Sequence, residues 1–344
     1  MRVTINDIAK ASGFSKTSVS FAFNDPSRIS KKTRSKILSI AESLGYVPDP
    51  VARNLSMRKI GTIGFLVPQA ISRVFLNPYM NQLLLGIGEA CQAKDYSLTV
   101  VPPLRGRIFD GVRSAAVDGF ITLGLHPEMK LVQLIKQRHI PFVTIDGTPA
   151  QDIPGVNTYD QKAAYRMMEE IINAGHRRIA IFSLEHAKTR EDHIYTGARD
   201  WRLEGFYKAL RDNGIDPDTV PVYDCESSEQ GGRDAAQTAL EQTVGASGRP
   251  TAMAFMSDIA AIGAMEELQD RGVSVPDDIS VTGFDNIPEA SMVHPKLTTM
   301  AQPGFEIGKA ATQMLFDLLD ERKLEKHLYF DSQFIARESL GILS

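Results

Sequence analysis

The side chains best suited to contact nucleic acid lie at the starts of two short segments near the N-terminus. Lys16 and Thr17 open one segment, and Lys31 and Lys32 open the other. A lysine can donate hydrogen bonds to guanine acceptors, and a threonine methyl group can contact the methyl group of thymine. Lysine and arginine side chains and the amides of helix N-termini also bind phosphates. The chemistry available in this region is the recognition of bases and phosphates.

The charge of the chain is distributed unevenly. Residues 1–59 hold eleven lysines and arginines against four aspartates and glutamates, whereas the complete chain has a formal net charge of −4. A basic module joined to an acidic body is typical of a nucleic-acid-binding domain attached to a second domain. Solvated basic surfaces are also common, so the pattern of residues inside the module has to distinguish the two interpretations.

Length and composition limit the other classes. A chain of 344 residues, 43% of them hydrophobic and 23% charged, is expected to form two or three globular domains. The N-terminus lacks the apolar core of a signal peptide, and no apolar run approaches the roughly 18 residues that span a bilayer. Cys91 and Cys225 have no Cys or His at metal-ligand spacing. We expect buried thiols, no metal, no cofactor, no membrane association and a cytoplasmic location.

The pattern within the basic module predicts three short helices. Apolar residues recur on one helical face after Thr4, Gly13 supplies a tight turn, and Ser15 is a suitable N-cap for a helix over residues 16–23. A third helix begins after Ser30. Two short helices joined by a glycine turn and closed by a third form a helix-turn-helix domain, whose second helix presents its N-terminal side chains to the major groove.

The exposed side chains of this domain fall into two groups of candidates. The candidates for reading bases lie on the second helix and are Lys16, Thr17 and Phe21. The candidates for binding phosphates are hydroxyl and basic side chains near the helix starts, namely Ser15, Arg28, Ser30, Lys31, Lys32 and Arg34. The alternative interpretation is that these residues are ordinary helix caps and solvated charges.

These motifs resemble the headpiece of the lactose/galactose-repressor (LacI/GalR) family. The resemblance rests on residues 3–15, Thr17-Ser18-Val19-Ser20, Asn24, Thr33-Arg34, Leu44-Gly45-Tyr46-Val47-Pro48 and Val51-Ala52-Arg53-Asn54-Leu55. It continues to the C-terminus and covers nearly the whole chain. It implies an allosteric, effector-controlled transcription regulator that binds a pseudo-palindromic operator in double-stranded DNA.

The resemblance also assigns a role to the segment after the headpiece. In this family the segment at residues 51–56 is a hinge helix that becomes ordered on operator DNA, and a leucine matching Leu55 enters the central minor-groove step. We expect Arg53, Asn54 and Leu55 to contact the minor groove, because an apolar wedge that unstacks one base step bends the duplex onto more protein. Phe21 stands where the family often has a polar base reader, so the base preference of other members does not transfer.

From Ile60 onward, short β-type runs alternate with helical stretches in two successive sets. This alternation predicts an α/β core with two subdomains, each a parallel sheet flanked by helices. The resemblance adds the periplasmic-binding-protein fold, with crossings between subdomains near Val156, Ser291 and Glu321. The expected domains are a helix-turn-helix domain at 1–47, a hinge helix at 48–59, and an effector-binding and dimerisation core at 60–344. The core is divided into an N-subdomain at about 60–155 and 291–321 and a C-subdomain at about 156–290 and 322–344.

Polar side chains at the carboxyl ends of the predicted strands are candidates for binding a small ligand, because α/β sheets bind ligands at that edge. The resemblance matches Arg202 and Asp285 to the effector-binding arginine and aspartate of the family, and Ser257 to a frequent asparagine. An ion pair or a cap is the structural alternative for Arg202 and Asp285, and a cap is the alternative for Asp146 and Asp160, since aspartates at strand ends and turns are mostly caps. The expected effector-binding residues, including two aromatic residues that could stack on a ring, are Phe75, Asp146, Trp201, Arg202, Ser257 and Asp285.

The sequence thus predicts a homodimeric DNA-binding regulator, and we expect a repressor controlled by a sugar-like or polyol effector. A transcriptional activator and a solute-binding protein are the alternatives, although the basic headpiece and the missing export signal disfavour the latter. An enzyme is not expected, because no phosphate loop, His-Glu-x-x-His or Gly-x-Ser-x-Gly motif is present. The sequence leaves open the effector, the direction of its effect on DNA binding, the operator and the regulated genes.

Overall fold

The structure, a computed structural model, describes residues 3–47, 59–67, 69–185, 197–242 and 248–343. The chain divides into two units, Met1–Gly61 and Thr62–Ser344. The three residues expected to enter the minor groove, Arg53, Asn54 and Leu55, lie outside the described residues. Their role stays a prediction.

The described part of the first unit contains the three predicted α-helices. Thr4 and Asp7 cap the first helix, since the Thr4 amide donates to Asp7 Oδ2 at 2.9 Å. Gly13 ends that helix with φ of 75°, a left-handed conformation that glycine adopts without steric cost. The helices are α1 (Ile5–Ser12), α2 (Lys16–Asn24) and α3 (Lys31–Ser43), with a 3-10 turn at Pro26–Arg28 between α2 and α3.

Serine caps and a small core fix the directions of these helices. Ser15 Oγ accepts from the Ser18 amide, and Ser30 Oγ accepts from the Thr33 amide, each at 3.1 Å. The core that the three helices share consists of Ile8, Val19, Ala22, Ile37 and Ala41. Because α2 turns Val19 and Ala22 inward, its opposite face is directed away from the core.

The described residues of the second unit contain two six-stranded sheets. The first has the order β11-β5-β4-β3-β1-β2, and the second has the order β12-β10-β9-β8-β6-β7. Within these sheets the neighbouring strands are parallel, except that β12 runs antiparallel to β10. The strands are β1 (Thr62–Leu66), β2 (Ser97–Val101), β3 (Gly119–Leu123), β4 (Phe142–Ile145), β5 (Gly155–Thr158), β6 (Ile179–Leu184), β7 (Val222–Cys225), β8 (Ala252–Phe255), β9 (Ser280–Asp285), β10 (Thr298–Ala301), β11 (His327–Phe330) and β12 (Gln333–Ile335).

Helices pack against these sheets and bury apolar residues on them. The first subdomain is the first sheet together with α4 (Ile71–Leu76), α5 (Pro78–Gln92), α6 (Ile108–Ser114), α7 (Lys130–Gln137) and α12 (Gly304–Leu319). The second subdomain is the second sheet together with α8 (Asp160–Asn173), α9 (Gly197–Asp212), α10 (Glu229–Gln242) and α11 (Asp258–Asp270), and it includes 3-10 turns at Pro217–Thr219 and Pro288–Ser291. This arrangement confirms the predicted α/β core, whose central strands are almost continuously apolar.

Two of the three crossings between the sheets lie later in the chain than expected. β5 and β11 belong to the first sheet, and β10 belongs to the second. The chain therefore crosses after Thr158, close to the expected position near Val156, but it crosses after Ala301 and after Phe330 rather than near Ser291 and Glu321. The physical reason is that the apolar and β-branched run in β10 predicts a strand without specifying which sheet it joins, since both sheets bury such strands.

The described ranges include no helix with both the length and the apolarity to cross a bilayer. Over the same ranges, no group of three or more His, Cys, Asp or Glu side chains is arranged to hold a metal ion. Cys91 and Cys225 are buried free thiols.

Glycines allow α5 and α12 to pack with their backbones in close approach. A Cβ atom added to Gly86 would lie 2.0 Å from Phe305 O, and one added to Gly308 would lie 2.3 Å from Leu83 O. Carbon and oxygen atoms do not approach this closely, so the two helices would have to separate. Gly88, on the same helix, has no heavy atom within 4 Å of its added Cβ.

We expect Gly86→Ala to lower the free energy of unfolding by about 1–3 kcal/mol, because the added methyl group overpacks the helix interface. Gly88→Ala is the matched control and is expected to leave stability unchanged or to raise it by about 0.5–1 kcal/mol, since alanine favours the helix. Urea unfolding followed by circular dichroism measures both variants. Equal stabilities would show that the close approach is not needed.

Candidate DNA-binding surface and ligand cleft

The base-reading candidates lie together on the outer face of α2. Lys16 and Thr17 are exposed in its first turn, and Phe21 is half-buried one turn after Thr17. Residues four apart on a helix are neighbours on its surface. The helix therefore presents a lysine, a hydroxyl with a methyl group, and an aromatic edge on one face, opposite the buried Val19 and Ala22.

Arg28 holds Phe21 in place from the turn that follows α2. The Arg28 guanidinium carbon lies 5.2 Å from the centroid of the Phe21 ring, and Arg28 Nε lies 2.8 Å from Asp25 Oδ2. A guanidinium over an aromatic face is attracted by its quadrupole. Arg28 thus contacts two side chains of its own unit, while 65% of its side-chain surface stays exposed.

The side chains expected to bind phosphates differ in the contacts that they make within the protein. The hydroxyls of Ser15 and Ser30 serve as helix caps, which is the structural alternative raised for them. Arg34 Nε donates to Ala22 O at 3.3 Å and so ties α3 to the end of α2. Lys31 and Lys32 are exposed in the first turn of α3. These two lysines are the candidates with the greatest freedom to follow a phosphate backbone.

A second cluster of polar residues lies where strands of the two sheets end. Asp146 follows β4, Asp160 follows β5, and Gln302 follows β10, while Asp285 is the last residue of β9. Arg202 enters the same cluster from α9. Asp160, Arg202, Asp285 and Gln302 are each at least 95% buried, and Asp146 is half-buried with its Oδ1 shielded from solvent.

Three contacts orient Arg202. Its Nε donates to Asp160 Oδ1 at 2.6 Å, its Nη1 donates to Met256 O at 2.8 Å, and its guanidinium carbon lies 3.8 Å from the Phe284 ring centroid. Asp160 is held in turn by Thr158 Oγ1, which donates to Oδ2 at 2.7 Å. The position of Asp160 in the sequence predicts a turn cap rather than a ligand-site residue, whereas the structure makes it the direct partner of Arg202.

Asp285 is bound by a different side chain. Gln302 Nε2 donates to Asp285 Oδ1 at 2.9 Å, and Asp285 has φ of 127°, which is unusual for a residue with a side chain. The arginine and aspartate expected to form a clamp thus lie in one cluster, but each is oriented by its own neighbour. Gln302 could have been found from sequence only by recognising that β10 ends just before it.

Asp258 supports the second sheet beside this cluster. Its Oδ1 accepts from Thr299 Oγ1 at 2.6 Å, and its Oδ2 accepts from the Ile287 amide at 2.9 Å. These bonds join the start of α11 to β10 and to the turn that follows β9. Burial raises the Asp258 pKa to about 6. Ser257, the residue before it, is buried and has no hydrogen-bond partner for its Oγ among the described residues.

Several buried polar atoms of the cluster have no hydrogen-bond partner among the described residues. These atoms are Tyr79 Oη, Asp146 Oδ1, Ser257 Oγ and Gln302 Oε1. Buried polar groups are usually paired, because leaving one unpaired costs about 1–3 kcal/mol. The amide oxygen of Gln302 accepts hydrogen bonds, the ionised carboxylate of Asp146 also accepts them, and the two hydroxyls can donate or accept. The cluster is suited to a ligand that offers several hydroxyl donors.

Carboxylates outnumber cations in this cluster, which changes their acidity. Burial raises the Asp146 pKa to about 7; the negative charge of Asp160 adds to the increase, and Arg202 opposes it. Burial also raises the Asp285 pKa well above its ordinary value, again against Arg202. For Tyr79, burial and then the charges of Asp146 and Asp285 raise the pKa, so the phenol stays neutral. No sequence pattern marks Tyr79 as a site residue.

The two aromatic candidates, Phe75 and Trp201, are less buried than Arg202 and Asp285. Phe75 is on α4 and 54% of its surface is exposed, and Trp201 is half-buried next to Arg202 in α9. Their stacking role stays a prediction.

Comparison with known proteins identifies both units. Residues 4–49 match a family model described as bacterial regulatory proteins of the lacI family, and residues 168–340 match a periplasmic binding protein-like domain. An HTH-type transcriptional regulator of Mycobacterium tuberculosis is 32% identical over 332 residues, covering 91% of this chain and 90% of that protein.

Solved structures show the same fold. The lac repressor dimer bound to operator and the anti-inducer ONPF has a TM-score of 0.82 at 22% identity, covering 99% of this chain and 100% of that chain. A LacI family transcriptional regulator from Enterococcus faecium with bound ribose has a TM-score of 0.70 at 26% identity, covering 82% of this chain and 100% of that chain.

Asp146 makes the stability of the second unit depend on pH. Its pKa of about 7 in the folded chain exceeds the ordinary value of 3.8, so the folded state binds more protons between these values and loses stability as pH rises through about 7. We expect Asp146→Asn to be more stable than the wild type at pH 8, by at most about 4 kcal/mol, and equal to it near pH 4. Asparagine also suits the positive φ of 51° at this position.

Thermal unfolding between pH 4 and pH 8 measures this difference. The control is Asp152→Asn, because the pKa of Asp152 is lowered by Lys136 and its replacement removes a favourable ion pair at pH 8. A constant difference between Asp146→Asn and the wild type across this range would contradict the prediction.

Proposed function

The chain belongs to the LacI family of bacterial regulatory proteins and is a DNA-binding transcriptional regulator, and we propose that it is a homodimeric repressor whose operator affinity is controlled by a sugar or polyol. The observation that carries the proposal is the outer face of α2, where Lys16, Thr17 and Phe21 are directed away from a capped three-helix core. A rigid helix with exposed donors at its start is what major-groove reading requires.

We propose that the residues of the first unit have separate roles in DNA binding. Lys16, Thr17 and Phe21 contact base edges, with Arg28 orienting the Phe21 ring as well as approaching a phosphate. Lys31 and Lys32 bind phosphates, and Ser15, Ser30 and Arg34 support them by fixing helix starts and the angle between α2 and α3. Phosphate contacts position a protein on the duplex, and base contacts specify the sequence.

We propose that Arg53, Asn54 and Leu55 act in the minor groove at the centre of the operator. Two chains related by a two-fold axis would place two such segments there and one α2 helix in each half-site, so the operator is expected to be pseudo-palindromic. The lac repressor, which has the same fold, was solved as a dimer bound to its operator.

We propose that the effector is uncharged and rich in hydroxyl groups. Asp146, Asp285 and Gln302 supply oxygens that can accept hydrogen bonds, Arg202 supplies donors, and the hydroxyls of Ser257 and Tyr79 can donate or accept. A site that pairs each of these groups with a ligand hydroxyl rejects an analogue that lacks one. Phe75 and Trp201 would cover a ring face, and the related Enterococcus faecium regulator was solved with ribose bound.

We propose that the protein has no enzymatic activity and acts in the cytoplasm on the bacterial chromosome. The relatives it matches are named as regulators. The described cluster pairs its carboxylates with an arginine, an amide and hydroxyls, and these contacts bind a ligand without providing a nucleophile activated by a base.

Base reading and phosphate binding are separable by mutation. Lys16→Ala is expected to change the preferred base at one operator position, with a loss of about 1–3 kcal/mol for the original base. Lys31→Ala is expected to weaken binding to all sequences alike and to reduce the salt dependence by about one ion. Selection of bound sequences from a random library, followed by salt titration, measures both effects. A uniform loss from Lys16→Ala would remove this residue from base reading.

Arg202 should be needed for the effector and not for DNA. Because Arg202→Ala alone leaves Asp160 buried without its partner, we expect the double variant Arg202→Gln with Asp160→Asn to fold better. Free hexoses, pentoses, cyclic polyols and nucleosides are screened by thermal shift, since a ligand at 100 times its Kd stabilises by about 2.7 kcal/mol. The double variant is expected to lose this shift and retain operator binding. A preserved shift would place the effector elsewhere.

A further inference from the structure

One guanidinium joins the two subdomains outside the buried ligand cluster. Arg73, on α4 of the first subdomain, places Nη1 3.1 Å from Glu185 Oε2 and Nη2 3.2 Å from Glu226 Oε2. Glu185 directly follows β6 and Glu226 directly follows β7, which are neighbouring strands of the second sheet. A rotation that separates the subdomains along this edge would break both ion pairs at once.

The two glutamates are close enough to affect the same group. Burial, with smaller contributions from Glu185 and Glu226, raises the pKa of the Cys225 thiol to about 12. Two carboxylates on adjacent strand ends repel each other, and Arg73 between them offsets that repulsion. The second subdomain alone therefore holds a pair of like charges, and Arg73 of the first subdomain offsets part of their repulsion.

The helix that carries Arg73 is weakly attached to its own subdomain. α4 has six residues, and its N-cap, Ala70, has no side chain that can cap it. Val74 is its buried residue, whereas Phe75 and Leu76 are more than half exposed. A helix this short is not stable by itself. Contacts to the opposite subdomain therefore supply part of what holds α4 in place.

Movement of α4 reaches the ligand cluster through the next helix. α5 begins two residues after α4, and its second residue, Tyr79, packs against apolar cores of both subdomains. The hydroxyl of Tyr79 is buried near Asp146 and Asp285. Only six positions separate Arg73 at the edge of the interface from Tyr79 in the ligand cluster.

We propose that Arg73 is a latch between the subdomains: its pairing with Glu185 and Glu226 favours the bridged arrangement before any effector binds and so sets the apparent effector affinity. An effector that binds the bridged arrangement binds more tightly when that arrangement is already populated. The proposal goes beyond the function proposed above, because the bridging equilibrium can be measured without DNA or effector.

The latch is weak because its three side chains are partly exposed to solvent. Between 37% and 48% of the side-chain surface of Arg73, Glu185 and Glu226 is exposed. Partly exposed ion pairs contribute little and are screened by salt, so the pairing changes the populations by about three- to tenfold. Such a bias leaves the equilibrium responsive to a ligand.

The test measures the distance between the subdomains in the full chain without DNA or effector. Spin labels are attached at Gln133→Cys on α7 and Gln237→Cys on α10, both exposed, while Cys91 and Cys225 are buried. Labelled chains are diluted with unlabelled chains so that distances within one chain dominate. Distance distributions by double electron–electron resonance are recorded at 50 mM and 500 mM NaCl.

Arg73→Gln is expected to increase the ratio of long to short distances by about three- to tenfold at low salt and to abolish the effect of added salt. Arg73→Lys keeps the positive charge but lacks a guanidinium that can reach both glutamates. Its ratio of long to short distances is expected to lie between those of the wild type and Arg73→Gln. The matched control is Lys309→Gln, which breaks an ion pair with Glu89 of similar exposure inside the first subdomain, and it is expected to behave as the wild type.

A double-mutant cycle distinguishes the latch from a local effect of Arg73. Glu185→Gln combined with Glu226→Gln is expected to shift the distances as Arg73→Gln does, and the triple variant is expected to shift them no further. Wild-type distances in Arg73→Gln, or additive shifts in the triple variant, would overturn the proposal. Either result leaves the DNA-binding function untouched, because neither measurement involves DNA.

Discussion

The buried ion pair between Arg202 and Asp160 is the interaction on which the proposed ligand site depends. Arg202 Nε lies 2.6 Å from Asp160 Oδ1, and the two side chains are 5% and 0% exposed. Removing one partner of such a pair leaves an uncompensated charge in the interior, at a cost of about 3–5 kcal/mol. Since Asp160 begins α8, Arg202 lies in α9 and Met256 O accepts from Arg202 near the end of β8, the pair fixes three elements relative to one another.

Two residues of the proposed ligand site, Asp160 and Gln302, also lie where the chain crosses between the subdomains. Asp160 comes two residues after β5, and Gln302 comes directly after β10, the last strand before the chain returns to the first subdomain. Backbone torsions at these crossings determine how one sheet is oriented against the other. Gln302 lies at a crossing and donates a hydrogen bond to Asp285. A ligand that binds Asp285 is therefore expected to affect the backbone at that crossing as well as the site. Binding and subdomain orientation are physically difficult to separate in this arrangement.

Local patterns predicted most of the fold, because local interactions determine those features. Thr4, Ser15 and Ser30 were identified as helix starts from their side chains, and Gly13 as a turn from its lack of one. The alternation of strands and helices likewise predicted two sheets. The sheet joined by β10 was not predictable, because its apolar run satisfies either one.

The site was less predictable than the fold, because tertiary proximity creates it. Arg202 and Asp285 were expected from the family resemblance, yet Asp160 and Gln302, which orient them, carried the same sequence signals as ordinary caps and turns. Tyr79 sits in the first turn of a helix with no feature that marks it, and only the packing of two cores around its ring brings its hydroxyl to the cluster.

The energies involved explain why weak contacts can matter in such a protein. A coupling of about 1–3 kcal/mol between effector and DNA changes affinity about 5- to 150-fold. The buried pair of Arg202 and Asp160 is too costly to break for it to be exchanged during regulation, so it is better suited to hold the site together in every state. Partly exposed contacts such as those of Arg73 have energies of the same order as the coupling itself. The dielectric environment of each ion pair thus determines its role. Buried pairs preserve the site, and partly exposed pairs adjust the equilibrium between subdomain arrangements.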